Sequence, residues 1–538
     1  MPLLGTTLVI LVSMVSLAAS CIDQERSSLL QFVWAFPRCS WENAYDCCKW
    51  EGIACNSDGT ITDVFLASRS LQGHISPSLG NLTGLLRLNL SNNVLSGGLP
   101  LELLSSNSIL VLDVSFNQLN GDMGDLARLA PHRPLQFTST TWKGMVNLVV
   151  LNASNNSFTG KMPTHFCSIS PSLAVLELSY NRFSSTVPQG LGNCSMLRVL
   201  KAGHNNLSGS LPNELFSATS LEHLSFPNND SNGVLDGSHI INLKNLATLD
   251  LGRNNLIGNI PDSIGQLKRL EELHLDQNSM SGELPSSLGS CTNLKTINLR
   301  NNNFIGELAK VNFSTLHNLK TLDLLYNSFN GTIPESIYSC RNLTALRLSG
   351  NNLRGQLSPR MGNLKSLTFL SLAMNNFTNI TNTLHIVKSF KNLTILLIGT
   401  SFMNETMPNN DDIDGNNGFT GVIPPEIGRL KELLSLNLSF NEFHGDIPQS
   451  ICNLTNLQVL DLANNHLTGT IPSSLNNLHF LSEFNVSFND LEGPVPTTGQ
   501  LSTFTNSSFD GNPMLCGPIL NHHCNSAEAD PVSIVYDN

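Results

Sequence analysis

A short pattern recurs through most of this chain and leaves few folds open to it. It is cleanest from Leu246 to Pro261, where it reads LxxLxLxxNxLxGxIP. Its Asn stands at 254, 278, 302, 327 and 351, every 24 or 25 residues. Further copies are anchored at Asn93, Asn117, Asn156, Asn181, Asn205, Asn229, Asn375, Asn441, Asn465 and Asn489. Arg69 and Ser401 take the Asn place in two weaker copies. The LxL alternation marks a short strand with one buried face. One strand per copy predicts parallel stacking at about 4.8 Å. The Leu positions then fill a continuous core that no single copy could bury alone. An inward Asn amide both donates and accepts, so it can satisfy turn groups that lack ladder partners. The Gly after it permits a tight bend, and the Pro fixes φ on the return.

Period and pattern together are the leucine-rich-repeat signature. The expected fold is an α/β solenoid, a leucine-rich-repeat superhelix with parallel strands on its concave face. Repeats are expected over 61–120, 146–401 and 417–497. An irregular insertion, 121–145, and a short polar segment, 402–416, interrupt the periodicity. Since the Leu and Asn residues are structural, function falls to the x positions.

The first twenty residues are almost wholly apolar and end in Ala18-Ala19-Ser20, which reads as a signal peptide over 1–20. The formal charge of −12 argues against nucleic-acid binding, which wants a basic stripe. No apolar run of the length of a membrane span follows the leader, so no span is expected in this chain. About eighteen Asn-x-Ser/Thr sequons occur, among them Asn81, Asn206, Asn330, Asn376, Asn453 and Asn506, and roughly half are expected to carry glycans. There is no GxSxG, HExxH, P-loop or GxGxxG in context, so neither an enzyme nor a cofactor is expected. Asp411, Asp412 and Asp414 lack EF-hand spacing, and a solvated loop is the expectation there.

Cys21, Cys47, Cys48 and Cys55 bracket a segment of amphipathic helical look, 24–36. Four cysteines allow three connectivities. Near the other end, Cys516 and Cys524 either form a bridge or bind zinc with His522 and His523. Adjacent side chains point apart, which disfavours zinc. Cys167, Cys194, Cys291, Cys340 and Cys452 mostly recur just before the next strand and read as small buried apolar residues. Cys39 is left over.

The stretch Asp46-Cys47-Cys48-Lys49-Trp50-Glu51-Gly52-Ile53-Ala54-Cys55 resembles the N-terminal cap of plant extracellular leucine-rich-repeat receptors and of secreted polygalacturonase inhibitors. Phe509-Asp510-Gly511-Asn512-Pro513-Met514-Leu515-Cys516-Gly517 is similar to the C-terminal cap of the same receptors. The resemblance implies disulfide-linked caps at 21–60 and 498–524, with Cys21–Cys47, Cys48–Cys55 and Cys516–Cys524 paired, and a tail over 525–538. Ser76–Leu85, Gly421–Gly428, Ser450–Leu462 and Ser507–Pro513 resemble plant receptor-like proteins and receptor kinases that sense tyrosine-sulfated peptides. That implies an extracellular peptide or protein ligand, a co-receptor kinase as partner, and a place outside the cell or on the outer face of the plasma membrane. Two departures stand against it. The region around Phe402–Asn416 is too short for that group's island domain, and the chain stops at Asn538 where relatives continue into a membrane span. A secreted inhibitor of cell-wall-degrading enzymes and a truncated, non-signalling decoy therefore remain as alternatives.

The x positions suggest where a ligand would sit. They are usually polar, as at Glu177, Asp250, Asn298 and Asp323. Between about Asn318 and Ile398 they change character: Leu325, Tyr326, Phe369, Met374, Ile395 and Leu397 all fall at x positions. Arg347 lies among them in the central column. Four strands would gather these side chains into a patch about 15–20 Å wide. Apolar side chains around one cation suit a peptide with an anionic group, which Arg would hold bidentately. The competing expectation is that the patch packs against 402–416.

Overall fold

The computed structural model describes residues 21–33, 46–123, 142, 144–402, 421–520 and 524. The signal peptide, Cys39, most of the 121–145 insertion, residues 403–420, His522, His523 and the tail lie outside the described residues. The chain divides into two units, 1–221 and 222–538.

Each unit is built from the repeat as its periodicity demands. In the first, parallel strands run from Ile61–Phe65 to Val199–Lys201; in the second, from His223–Ser225 to Glu483–Asn485. Every such strand is about three residues long and buries its central side chain. In Thr248–Asp250 the centre is Leu249, and in Glu272–His274 it is Leu273, both fully buried. Burying one Leu is worth about 1.5–3 kcal/mol. Leu246, Leu251 and Leu256 complete the same layer of core.

The Asn ladder accounts for the turn that follows each strand. The Asn254 amide donates to Phe226 O in the preceding repeat at 2.9 Å and to Leu251 O and Gly252 O at 3.1 Å. Its carbonyl accepts from Ser231 N at 3.1 Å. Where Asn is missing, the role passes to what is available. The Ser401 hydroxyl donates to Leu372 O at 2.7 Å. At the other weak copy, Asn93 accepts from the Arg69 and Leu71 amides. The ladder also runs one rung further than the periodicity indicated. Asn512, inside the C-terminal cap, donates to Val486 O at 3.0 Å and accepts from Leu491 N at 3.1 Å.

The two irregular segments do not interrupt the strands. Val111–Asp113 pairs directly with Val150–Asn152, and Ile395–Leu397 with Ser435–Asn437. The Gln118–Asp122 strand runs two residues into the expected insertion. Its far end is anchored by Trp142, which is buried, donates to Met123 O at 3.2 Å and packs edge-on against Phe166. Phe402, at the start of the second segment, is buried against Phe377.

A second parallel sheet was not anticipated. It runs along the return side, from Gln72–His74 to Asn206–Ser210 in the first unit and from Asp230–Val234 to Asn376–Thr378 in the second. Its strands are the xLxG portion of the repeat. The alternation that buries Leu256 also leaves Asn255 and Ile257 outward, which is strand geometry.

At the N-terminal edge, helix Asp23–Val33 is tied to the first repeat. The Glu25 carboxylate accepts from Ile61 N at 2.8 Å, and Asp46 accepts from the Cys21 and Cys48 amides at 3.1 Å. Ile53–Cys55 covers the first strand in antiparallel fashion. Cys21–Cys47, Cys48–Cys55 and Cys516–Cys524 are disulfides, as the resemblance implied. One reading of the cysteines is overturned: Cys167 and Cys194 are bonded to each other. Successive repeats bring their α-carbons within 5.0 Å, so two residues 27 apart in sequence become partners. Cys291, Cys340 and Cys452 are buried free thiols, and burial pushes Cys291 and Cys340 up to about 11.

Candidate ligand-binding face

Register decides which x residues meet. Ala345, Phe369 and Ile395 stand side by side in one row; Asp323, Arg347, Ser371 and Leu397 form the next. Both rows belong to the second unit. Phe369, Ile395 and Leu397 are partly exposed, so their apolar surface lies outside the core. Leu325, also partly exposed, follows its strand with its amide bonded to Asp323 Oδ1 at 3.3 Å.

Tyr326 and Met374 occupy a third row at the turn, each about half exposed and each with positive φ. Gly350 separates them. It has φ +67°, and a Cβ there would come within 2.5 Å of Tyr326 Cδ1. A glycine is thus needed to let the Tyr326 ring lie across its neighbour.

Arg347 is not the free cation expected. Its Nη1 lies 3.2 Å from Asp323 Oδ2, and its guanidinium carbon sits 4.3 Å over the Phe369 ring. Nε is buried without a hydrogen-bond partner. Asp323 is almost fully buried. Burial pushes its carboxyl above the usual range, while the Leu325 amide, Arg347 and Arg300 pull it back. The guanidinium is therefore held flat between a carboxylate and a ring, with a third of its side chain exposed. Such a pre-oriented group loses little entropy on binding a ligand, but part of its charge is already answered.

The strand pairing adds a residue the periodicity missed. Phe440 is about half exposed, has φ +53°, and accepts through its carbonyl from Thr400 N at 3.0 Å. It follows Tyr326, Gly350, Met374 and Thr400 in the same row. The signal was present in Leu438-Ser-Phe-Asn441, which matches Leu324-Leu-Tyr-Asn327, but the slip after Ser401 hid their common register.

The six sequon asparagines are all exposed. Asn206, Asn330 and Asn376 lie on the second sheet, Asn81 and Asn453 end 3-10 turns, and Asn506 begins one. None lies on the strand face that carries Phe369 and Arg347.

Family models for leucine-rich repeats match residues 147–169, 172–194, 245–267, 432–454 and 456–478, with related models over 268–315 and 292–353. The chain folds as a leucine-rich-repeat solenoid. Receptor-like protein 3 of Arabidopsis thaliana is 41% identical over 81% of the chain and 63% of its own length. The chain thus spans somewhat under two thirds of that relative. Phytosulfokine receptor 1 of the same plant is 30% identical over 28% of the chain and 14% of its own length. Among solved structures, the plant peptide hormone receptor RGFR1 in complex with RGF2 is 25% identical, covers 85% of this chain and 83% of its own, and superposes with a TM-score of 0.59. The Arabidopsis receptor kinase HAESA, in complex with the peptide hormone IDA and the co-receptor SERK1, is 27% identical over 92% of this chain and 98% of its own, at a TM-score of 0.52. The leucine-rich-repeat chain described here is related to the ectodomains of plant cell-surface receptors.

Proposed function

We propose that this chain is the extracellular recognition module of a plant receptor-like protein, binding a peptide or protein on its strand face for signalling in growth or defence. The observation that carries this is the exposed apolar surface of Phe369, Ile395, Leu397, Tyr326 and Met374 around a pre-oriented Arg347. Elsewhere the column of Arg347 and Leu397 holds mostly polar residues such as Asp250 and Asn298, while the Phe369 column carries part-exposed Val150, Val175 and Val459 and the Tyr326 row carries exposed Phe116, Tyr180 and Phe488. An extended peptide laid across the strands would cover the apolar rows and offer a carboxylate or sulfate to the exposed edge of Arg347. The relatives solved with peptide hormones support the class of ligand, and the one solved with a co-receptor supports a co-receptor kinase as partner. The short likeness to phytosulfokine receptor 1 leaves a tyrosine-sulfated ligand as a finer reading, which the exposed Arg347 edge favours. Placement outside the cell, secreted or at the plasma membrane, belongs to the same proposal.

The test is the double variant Phe369→Ser/Arg347→Glu in the secreted chain. It is titrated against a panel of synthetic sulfated and unsulfated peptides beside the wild type. Binding by the wild type and its loss in a normally secreted variant supports the site. Binding that survives the double substitution contradicts it.

A further inference from the structure

The two bridges of the N-terminal cap differ in access. Cys21 and Cys47 are buried, so a thiol in solvent does not reach the bond between them. Cys48 and Cys55 are both partly exposed. The two bridges are nonetheless in touch. The Sγ atoms of Cys21, Cys47 and Cys48 lie within 4.8 Å of one another. One carboxylate oxygen holds them so. Asp46 Oδ1, at the start of the turn Cys47–Lys49, accepts from the Cys21 amide and from the Cys48 amide, each at 3.1 Å. Asp46 thereby seats Cys48 beside Cys21, although Cys21 is bonded to Cys47.

The buried bond secures the helix that follows Cys21. Asp23–Val33 buries Leu29 and Phe32 at the open end of the repeats, and Ser78 Oγ donates to Ser28 O at 2.8 Å. Losing the tether would free the whole element from its N-terminal side.

We propose that Cys55 is a thiolation site for a small monothiol, and that Cys48, once released, takes over the bond to Cys21. In the first step the thiolate of the small thiol attacks Cys55 Sγ. The Cys48–Cys55 bond breaks, a mixed disulfide forms at Cys55, and Cys48 leaves as a thiolate. In the second step Cys48 attacks Cys21 Sγ. The Cys21–Cys47 bond breaks, a Cys21–Cys48 bond forms, and the electron pair leaves on Cys47, which takes up the proton given up by the small thiol. Two disulfides are present before and after, so no oxidant or reductant is consumed. Attack on Cys47 instead is disfavoured. Neighbouring residues have α-carbons about 3.8 Å apart, short of the roughly 4.4–6.8 Å that a disulfide spans. The exchange moves the tether by one residue without cutting it. The cap thus records contact with a thiol at Cys55 while Cys21 stays bonded. None of this depends on what the strand face binds.

The test uses the full secreted chain carrying Cys39→Ser, which removes the one other cysteine between Cys21 and Cys55. It is incubated with millimolar glutathione, quenched in acid, denatured, alkylated and mapped by tandem mass spectrometry. Glutathione on Cys55, alkylated Cys47 and a Cys21–Cys48 crosslink should appear together. Asp46→Ala, which removes the shared acceptor, should lower the crosslink severalfold for the same amount of glutathione on Cys55. In a second protein, Cys47→Ser/Cys55→Ser on the same background, Cys21 and Cys48 are the only cysteines left in the cap, and they should be bonded to each other. Glutathione on Cys55 with Cys21–Cys47 intact, no glutathione on Cys55, or free thiols at Cys21 and Cys48 in the second protein would overturn the proposal. An unchanged crosslink in Asp46→Ala would overturn the part given to Asp46.

Discussion

Asp323 and Arg347 sit side by side on adjacent strands, with the carboxylate buried, the guanidinium 3.2 Å away, and Phe369 beneath the cation. Opposing effects act on Asp323: burial raises its pKa, and the Leu325 amide, Arg347 and Arg300 lower it. Burial is the larger, so the folded state holds this proton to a higher pH than the unfolded chain does. The stability linked to Asp323 is then present below the unfolded value and lost as pH rises through the raised one. Comparing Tm of the wild type and Asp323→Asn from pH 3.5 to 7 checks the sign. The wild type should lose ground to the variant as pH rises. A constant or opposite trend would mean that the ion pair, not burial, governs this carboxyl.

Asn351 is buried and donates to Leu324 O and Leu348 O at 2.9 Å while accepting from Phe329 N at 3.1 Å. Its neighbour Asn352 is exposed. Asn351→Ala should destabilise by about 1–3 kcal/mol, because buried turn groups lose their partners. Asn352→Ala should fall within about 0.5 kcal/mol of the wild type. Denaturant titration of the two variants separates a structural rung from an ordinary surface amide.

The Cys167–Cys194 bridge sets Cys194 apart from the buried free thiols at the same place in other repeats. Cys194→Ser should cost about 2–5 kcal/mol and lower secretion, and Cys48→Ser, which breaks a cap bridge, should do the same. Cys291→Ser, at the equivalent place in another repeat, removes only a buried thiol that contacts Ile264 O, and it should be the milder change. Secreted yield and Tm of the three variants decide the order.

What was legible in the sequence was whatever repeats. Leu249 and Asn254 could be assigned because fifteen copies vary everything around them, and the period fixes which side chains face inward. The cap bridges were legible through resemblance to known caps. The Cys167–Cys194 bond was not, because it depends on how two particular repeats abut, and Cys291 and Cys340 share Cys194's place without a partner. Arg347 was placed correctly in its column. Its place between Asp323 and Ser371 followed from the period, but not that the Asp323 carboxylate would engage the guanidinium. The second sheet escaped notice because each of its strands is short and half of each is Gly, Ser or Asn. Phe440 was lost to a slip in period that the strands themselves ignore.

Gly350→Ala probes the shape of the binding face without touching its charges. A Cβ at φ +67° would strain the turn and push on the Tyr326 ring. The expected stability loss is about 1 kcal/mol. If Tyr326 contributes to the ligand surface, affinity for the bound peptide falls with it. Unchanged affinity in a folded Gly350→Ala protein would remove Tyr326 from the site.

The most direct test of the account places a photocrosslinking amino acid at Met374, which is half exposed at the edge of the patch, and in a second protein at the exposed Glu102. Each is irradiated with the peptide fraction of plant extracellular fluid, and the adducts are sequenced by mass spectrometry. The account predicts one recurring peptide species attached at position 374 and absent at position 102. No adduct at 374, or the same mixture at both positions, would contradict it.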